Sequence, residues 1–139
     1  MASSSGTISH MADLGLWVKA DSVEELFSAA AVALAGLMFE GPREGGVEWR
    51  PFSSQGADQA ELLVHLLAEV VYLADAERRL VTGVKIKSLS SAKLKAELGV
   101  IPLEPARHSA GEPVKAVTYH GASVVQTGAQ WKAQVVLDI

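Results

Sequence analysis

The sequence contains no cysteine. That excludes a disulfide framework, a thiolate zinc site and a cysteine nucleophile. It also lacks a basic excess: 12 Lys+Arg stand against 16 Asp+Glu, a formal net charge of −4. The chain as a whole is therefore not a basic binder of nucleic acid. Mean hydropathy is high for a soluble protein at +0.22, yet no apolar run approaches the ~20 residues that a membrane helix needs. Residues 1–9 lack the basic start and apolar middle of a secretory signal. Phosphate-cradling G-x-x-x-x-G-K-[ST] and G-x-G-x-x-G loops are missing, as are H-E-x-x-H and G-x-S-x-G. With 139 residues, one core can withdraw roughly 68% of the unfolded surface from water. The expectation is a single cytoplasmic, soluble domain with no membrane partner.

Residues 1–9 carry four Ser, one Gly and one Thr and read as a flexible lead-in. Residues 14–20 are short and mostly apolar, the pattern of a strand. Ser22 followed by Glu25 then forms a capping box. Leu26, Ala30, Ala33, Leu34, Leu37 and Met38 recur at helical spacing until Gly41-Pro42, which predicts a helix between those signals. Residues 47–52 alternate as a short strand, placed at an edge or ended by Pro51. Asp58 and Glu61 repeat the capping signature. Beyond them, to about Glu77, lies the most apolar segment of the chain. Leu62, Leu63, Leu66, Leu67, Val70, Val71 and Leu73 cover more than one helical face, so this helix is expected to be covered on two sides.

From Leu80 the period falls to two. Val84 and Ile86 alternate with Lys85 and Lys87, and Leu94 and Ala96 with Lys93 and Lys95. Ser90-Ser91 between them predicts a hairpin with one buried face. Residues 99–113 hold three prolines and two glycines and read as an irregular loop. Residues 114–120, 122–126 and 131–137 read as three further strands. The resulting fold class is α+β, two long helices packed on a mostly antiparallel or mixed sheet.

Four histidines, His10, His65, His108 and His120, are scattered through the chain. His65 lies among leucines, where a packed or rim position is the simpler reading and a functional role the sharper one. Lys85, Lys87, Lys93 and Lys95 share the hairpin face opposite Ile86 and Leu94. This face is either a small basic patch for tRNA or an acidic partner, or a solvated surface that discourages edge-to-edge pairing.

The two ends carry more information. Asp13 precedes the first predicted strand. Asp138 follows the apolar run Val135-Val136-Leu137, and Ile139 is the last residue. A strand finishing on Asp-Ile leaves no room for a tail, so the Ile139 α-carboxylate is expected to be held where that strand ends. If Asp13 lies beside it, three carboxylates converge. Like charges ~4 Å apart repel by about 4 kcal/mol at an effective dielectric of 20, so such a cluster requires a proton or a hard divalent cation with oxygen ligands. The alternative is that Asp13 caps a turn and Asp138 is surface charge; composition alone favours that.

Several strings match a known family. The segment His10-x-Ala12-Asp13-x-Gly15 followed by Asp21-Ser22-x-Glu24-Glu25-Leu26-Phe27 resembles the opening of the archease family. Leu62-Leu63-Val64-His65-Leu66-Leu67-Ala68-Glu69-Val70-Val71-Tyr72-Leu73 is similar to its leucine-rich central helix. Lys115-Ala116-Val117-Thr118-Tyr119-His120 and the closing Trp131-x-Ala133-x-Val135-Val136-x-Asp138-Ile139 are the most specific matches. The likeness runs in order over residues 10–139, taken as one archease-like domain after the lead-in.

The resemblance implies a non-catalytic activator or chaperone, not an enzyme. Its partner would be an RtcB-type RNA ligase of tRNA splicing, whose guanylylation and multiple turnover it would promote; tRNA or a tRNA methyltransferase are further partners it implies. It also implies a divalent metal, Ca²⁺ in the first place with Mg²⁺ or Mn²⁺ as alternatives, held by Asp13, Asp138 and Ile139. Met11 stands where the family usually has Thr, and His65 and Ala68 where Trp and Asn are common. None of these departures touches the three implied ligands. Two other functions stay open: a small metal-dependent phosphoester hydrolase using the same carboxylates, and a general chaperone acting through apolar surface.

Overall fold

The computed structural model describes residues 3–9 and 13–139. Two helices, α1 (Val23–Met38) and α2 (Gln59–Glu77), pack on antiparallel sheets. Strands β1 (Ser3–Ser9), β2 (Asp13–Ala20), β8 (Ala116–Thr127) and β9 (Gln130–Asp138) form a four-stranded sheet in the order β1-β2-β9-β8. Strands β4 (Glu48–Gln55), β5 (Arg79–Leu89) and β6 (Lys93–Pro102) form a second sheet in the order β4-β6-β5, and the two-residue strands β3 (Phe39–Glu40) and β7 (Ser109–Ala110) pair with each other. This is the α+β class that the periodicities predict. No helix among the described residues is long and apolar enough to cross a membrane.

Both helices start as their capping residues dictate. The Glu25 N–H donates to Ser22 Oγ at 3.1 Å, while the Glu25 carboxylate accepts the Asp21 N–H at 3.2 Å. At α2 the Glu61 N–H donates to Asp58 Oδ1 at 2.8 Å and the Ala57 N–H to Glu61 Oε1 at 2.6 Å. In each case the carboxylate reaches one residue further back than the reciprocal box requires. Helix α1 ends at Met38, before Gly41. That glycine has φ of +132°, and a Cβ there would collide with the Arg107 carbonyl, so only glycine lets the two loops meet.

Helix α2 buries Leu62, Leu63, Val64, Leu66, Leu67, Val70, Val71, Leu73 and Ala74, which is why its apolar residues spread beyond one face. It lies against β8 of one sheet and β4 and β5 of the other, while α1 lies against β2 and β5. One core results, closed by Leu14, Leu16 and Val18 from β2, Leu94, Leu98 and Val100 from β6, and Val135 and Leu137 from β9. The buried residues of β9 alternate with outward ones, as do those in the first half of β6, whereas residues 98–101 of β6 are buried on both faces.

Three expectations change. Residues 3–9, read as a flexible lead-in, form β1, paired residue for residue from Ser3 opposite Ala20 to Ser9 opposite Leu14. Their small polar side chains hold no periodic signal because the backbone of β2 recruits them: the strand is made by ladder hydrogen bonds along an available edge. The irregular loop predicted for residues 99–113 begins later, since β6 runs to Pro102 and β7 sits within it. The two strands predicted at 114–120 and 122–126 are one strand, β8. Its pairing with β9 steps from Thr118 opposite Val136 to Ser123 opposite Gln134, so residues 119–122 bulge out against a single partner position. Gly121, at φ of +80°, permits the excursion. Strand β4 continues past Pro51 to Gln55, and it is an edge strand, where a missing N–H costs no ladder bond.

Candidate functional site

Asp13 opens β2 and Asp138 closes β9, and the antiparallel register sets them directly opposite each other. The cause lies in the alternation of both strands. Leu14 and Leu137, the next pair inward, are both buried, so the aspartates share the opposite, outward face of the sheet. Asp138 is exposed and Asp13 half-buried. Residues paired in this way bring their Cβ atoms to about 5 Å, and like charges so placed destabilise the sheet. The ladder is continued beside them by the Lys115 N–H, which donates to the Asp138 carbonyl at 2.7 Å. Ala116 is the β8 partner of Asp138. Ile139 follows directly, half-buried and packed against the core.

The pair is thus two oxygen-donor groups with no cationic side chain bonded to either among the described residues. Nor do the described residues contain a cluster of three or more His, Cys, Asp or Glu placed to hold a metal. A cation at this end of the sheet would therefore need a further oxygen from the main chain, and Ile139 is the adjacent residue. The donor set is all oxygen, the kind that hard divalent ions take and thiophilic metals do not. His10, Met11 and Ala12, the remainder of the opening motif, lie outside the described residues.

Between α2 and the start of β8 runs a depression of about 350 Å³ lined by Ala68, Val71, Tyr72 and Asp75 of α2 and by Lys115, Ala116 and Val117. Tyr72 is exposed. Ala68, one of the departures noted in the sequence, lies in this groove, whereas His65 is half-buried one turn earlier on α2.

Among the described residues, His108 and His120 do not join the site. His108 is buried, in the turn after β6. It accepts the Glu104 N–H on Nδ1 at 3.0 Å and lies 2.8 Å from the Pro42 carbonyl through Nε2. That pattern requires the neutral ring protonated on Nε2, which donates to Pro42, and makes His108 a staple between two loops. His120 is exposed on the β8 bulge, its N–H donating to Thr118 Oγ1 at 3.1 Å.

Two further polar arrangements escaped the sequence. The β8 bulge carries Tyr119 to the start of α2, where its hydroxyl donates to Asp58 Oδ2 at 2.6 Å. This bond, with the Glu61 N–H second, holds the Asp58 carboxyl below its ordinary value; the same bond, with desolvation second, raises the Tyr119 phenol. On the second sheet, Lys85 places its ammonium 4.0 Å from the centre of the Trp49 ring. Neither pairing has a local signal, because each joins residues from different strands or helices.

Comparison with known proteins agrees with this architecture. A protein described as archease from Pyrococcus abyssi is 33% identical over 134 residues, covering 94% of each chain. Another from Thermococcus kodakarensis is 32% identical over 134 residues, again 94% of each. The solution structure of protein 1598 of Methanobacterium thermoautotrophicum superposes with a TM-score of 0.77 at 24% identity, covering 97% of this chain and 98% of that one. The crystal structure from Thermotoga maritima described as "an archease, possible chaperone" gives 0.62 at 21% identity, covering 95% and 94%; at these identities both structures speak for the fold. The model of the archease protein family (MTH1598/TM1083) matches residues 6–139, which include the Asp13–Asp138 pair and every strand that builds it, and on that match the chain belongs to the archease family.

Proposed function

We propose that the protein is a non-catalytic activator of an RtcB-type RNA ligase, promoting guanylylation and repeated turnover of its partner. In this reading Asp13, Asp138 and the α-carboxylate of Ile139 hold a divalent metal at the exposed end of the four-stranded sheet. The observation that carries it is the register of β2 and β9, which sets two carboxylates opposite each other with no cationic side chain bonded to them among the described residues. When bound, a hard cation such as Ca²⁺ supplies charge neutralisation and vacant positions for anionic oxygens. Asp13 and Asp138 present their oxygens outward, away from Leu14 and Leu137, where a partner's nucleotide site can reach them. The Ile139 side chain packs on the core and seats the last residue next to Asp138.

The test is a multiple-turnover ligation assay with a cognate ligase, following guanylylation of the ligase in parallel. Asp13→Ala and Asp138→Ala are expected to keep the circular dichroism spectrum of the parent and to lose activation. Activation by both variants equal to that of the parent would overturn the proposal. Release of phosphate from nucleotides by the purified protein alone would put a hydrolase in its place.

A further inference from the structure

The outward face of the three-stranded sheet is covered by neither helix, and its side chains are unlike those of the carboxylate end. Register places Trp49 opposite Gly99, and Gly99 opposite Gly83. A Cβ on Gly99 would stand 3.0 Å from the indole and one on Gly83 3.7 Å from it. The ring therefore lies across β6 and β5; the close approach at Gly99 favours a position without a side chain, while Gly83 lies at ordinary contact distance. Trp49 remains 40% exposed, so part of the indole is open to solvent.

Lysines continue the face away from the ring. Lys85 stands over the indole, Lys95 pairs with Ser53 across β6 and β4, and Lys93 pairs with Gln55. Lys87, the extra residue of a bulge in β5, bonds Glu97 at 3.2 Å, which covers the one acidic group near the middle of the face. All four lysines are exposed. They leave only Lys19, Lys115 and Lys132 for the rest of a net-acidic chain. Two shallow depressions of about 510 and 530 Å³ follow one another along the same strands. The first is lined by Pro51, Phe52, Lys87, Lys95 and the Lys87-paired Glu97, the second by Ser53, Gln55, Lys93 and Lys95. From Trp49 to Gln55 the strand measures about 20 Å.

We infer that this face binds a short single-stranded nucleic-acid segment, one base stacked on Trp49 and successive phosphates on Lys85, Lys95 and Lys93. The chemistry decides for a nucleic acid. An aromatic plane on an open sheet takes any base, and flexible ammonium groups along the strand direction take a backbone of repeating negative charge. An acidic peptide would use the lysines but leave the indole, with its glycine floor, without a planar partner. On binding, the Lys85 ammonium moves from the ring face to a phosphate and a base takes its place, exchanging a cation over the ring for a stacked base. The segment is a few nucleotides long, the small end of what single sheet domains hold. The inference does not rest on the activator reading or on the metal.

Fluorescence anisotropy of a labelled ten-nucleotide oligouridylate against the full chain at 50 mM salt tests it. Saturable binding is expected, quenching Trp fluorescence and weakening with salt with a log–log slope of about −2 for three phosphates. Trp49→Ala is expected to lower affinity about tenfold and Trp49→Phe to restore most of it, with circular dichroism unchanged. Lys95→Glu is expected to lower affinity and flatten the slope by about one phosphate contact. Asp138→Ala is expected to bind as the parent does, so loss of ligase activation and loss of oligonucleotide binding separate. No binding at 0.1 mM protein would overturn the inference, as would binding untouched by Trp49→Ala and Lys95→Glu. Displacement of the oligonucleotide by decaglutamate at equal concentration would assign the face to an acidic protein surface instead.

Discussion

The two larger sheets each seat a tryptophan on a neighbouring glycine beside a lysine, and then diverge. On the four-stranded sheet Trp17 lies against Gly6, its register partner, with Lys19 5.8 Å from the ring centre; the outward positions run on through Gly15 to the Asp13–Asp138 pair. On the three-stranded sheet Trp49 lies on Gly99 with Lys85 at 4.0 Å, and the outward positions run on into lysines. Both faces are the reverse side of one shared core. The lesson is that the inward residues of alternating strands settle the fold, leaving the outward ones free to carry opposite charge at sites that do not neutralise each other. One outward face ends on paired carboxylates, the other on a row of lysines.

The largest expected effect breaks the comparison at its common support. Leu66 is fully buried on α2, which touches strands of both sheets. Leu66→Ala should cost about 3 kcal/mol, read as a lower urea midpoint with unchanged slope. Circular dichroism and Trp fluorescence should still report one coincident transition. Loss of one sheet ahead of the other would mean that the two faces have separate cores.

A smaller effect separates the faces. In excess EDTA, Asp138→Asn should match or slightly exceed the parent in stability, because it removes a like charge set opposite Asp13. With Ca²⁺ at about a hundredfold its dissociation constant, the parent should gain about 2.7 kcal/mol and the variant much less. Thermal melts with and without Ca²⁺ measure both, and equal gains would remove the carboxylate pair as the site. Trp49→Ala should leave the Ca²⁺ response unaltered.

What the sequence revealed follows from which forces are local. Capping at Ser22 and Asp58, the multi-faced apolar pattern of α2 and the alternation around Ile86 and Leu94 are written within a few residues of where they act. The start of a strand in residues 3–9 is not, since it depends on β2 offering an edge. The meeting of Asp13 with Asp138 follows from the resemblance and not from the residues themselves; nothing within either segment specifies the register that joins them. That register comes from keeping Leu14 and Leu16 of β2 inward together with Leu137 of β9, for a slip of one residue would turn the apolar set of one strand to solvent. His65 stands among leucines, yet it is only half-buried. His108, in a Pro-rich turn, is the buried histidine among the described residues, because its two ring nitrogens satisfy main-chain groups from two loops that sequence separation conceals. The seat of Trp49 is equally hidden, because the indole of β4 rests on glycines of β6 and β5 far off in sequence.

The smallest effect tests whether the sheets are tied to each other outside the core. Tyr119, on the β8 bulge, donates to Asp58 at the start of α2, just after the Gly56 N–H has bonded the Ala92 carbonyl of the β5–β6 hairpin. One hydroxyl thus links the carboxylate sheet to the end of the lysine sheet. The Asp58 carboxyl is depressed in the fold, chiefly by that hydroxyl, so its contribution is present above the ordinary carboxylate range near ~pH 4 and is lost as pH falls through the depressed value. The Tyr119 phenol is raised, chiefly by the same bond; its contribution is present below ~pH 10 and is lost as pH rises through the raised value. Tyr119→Phe should therefore lower stability by a constant amount between those limits, and the difference from the parent should shrink at both extremes. Because both groups are exposed, the offset should be small, measurable as a modest drop in melting temperature at pH 7 that narrows toward pH 3 and pH 11. A difference independent of pH would mean that Tyr119 acts by packing alone, and the two sheets would then communicate only through the leucines beneath them.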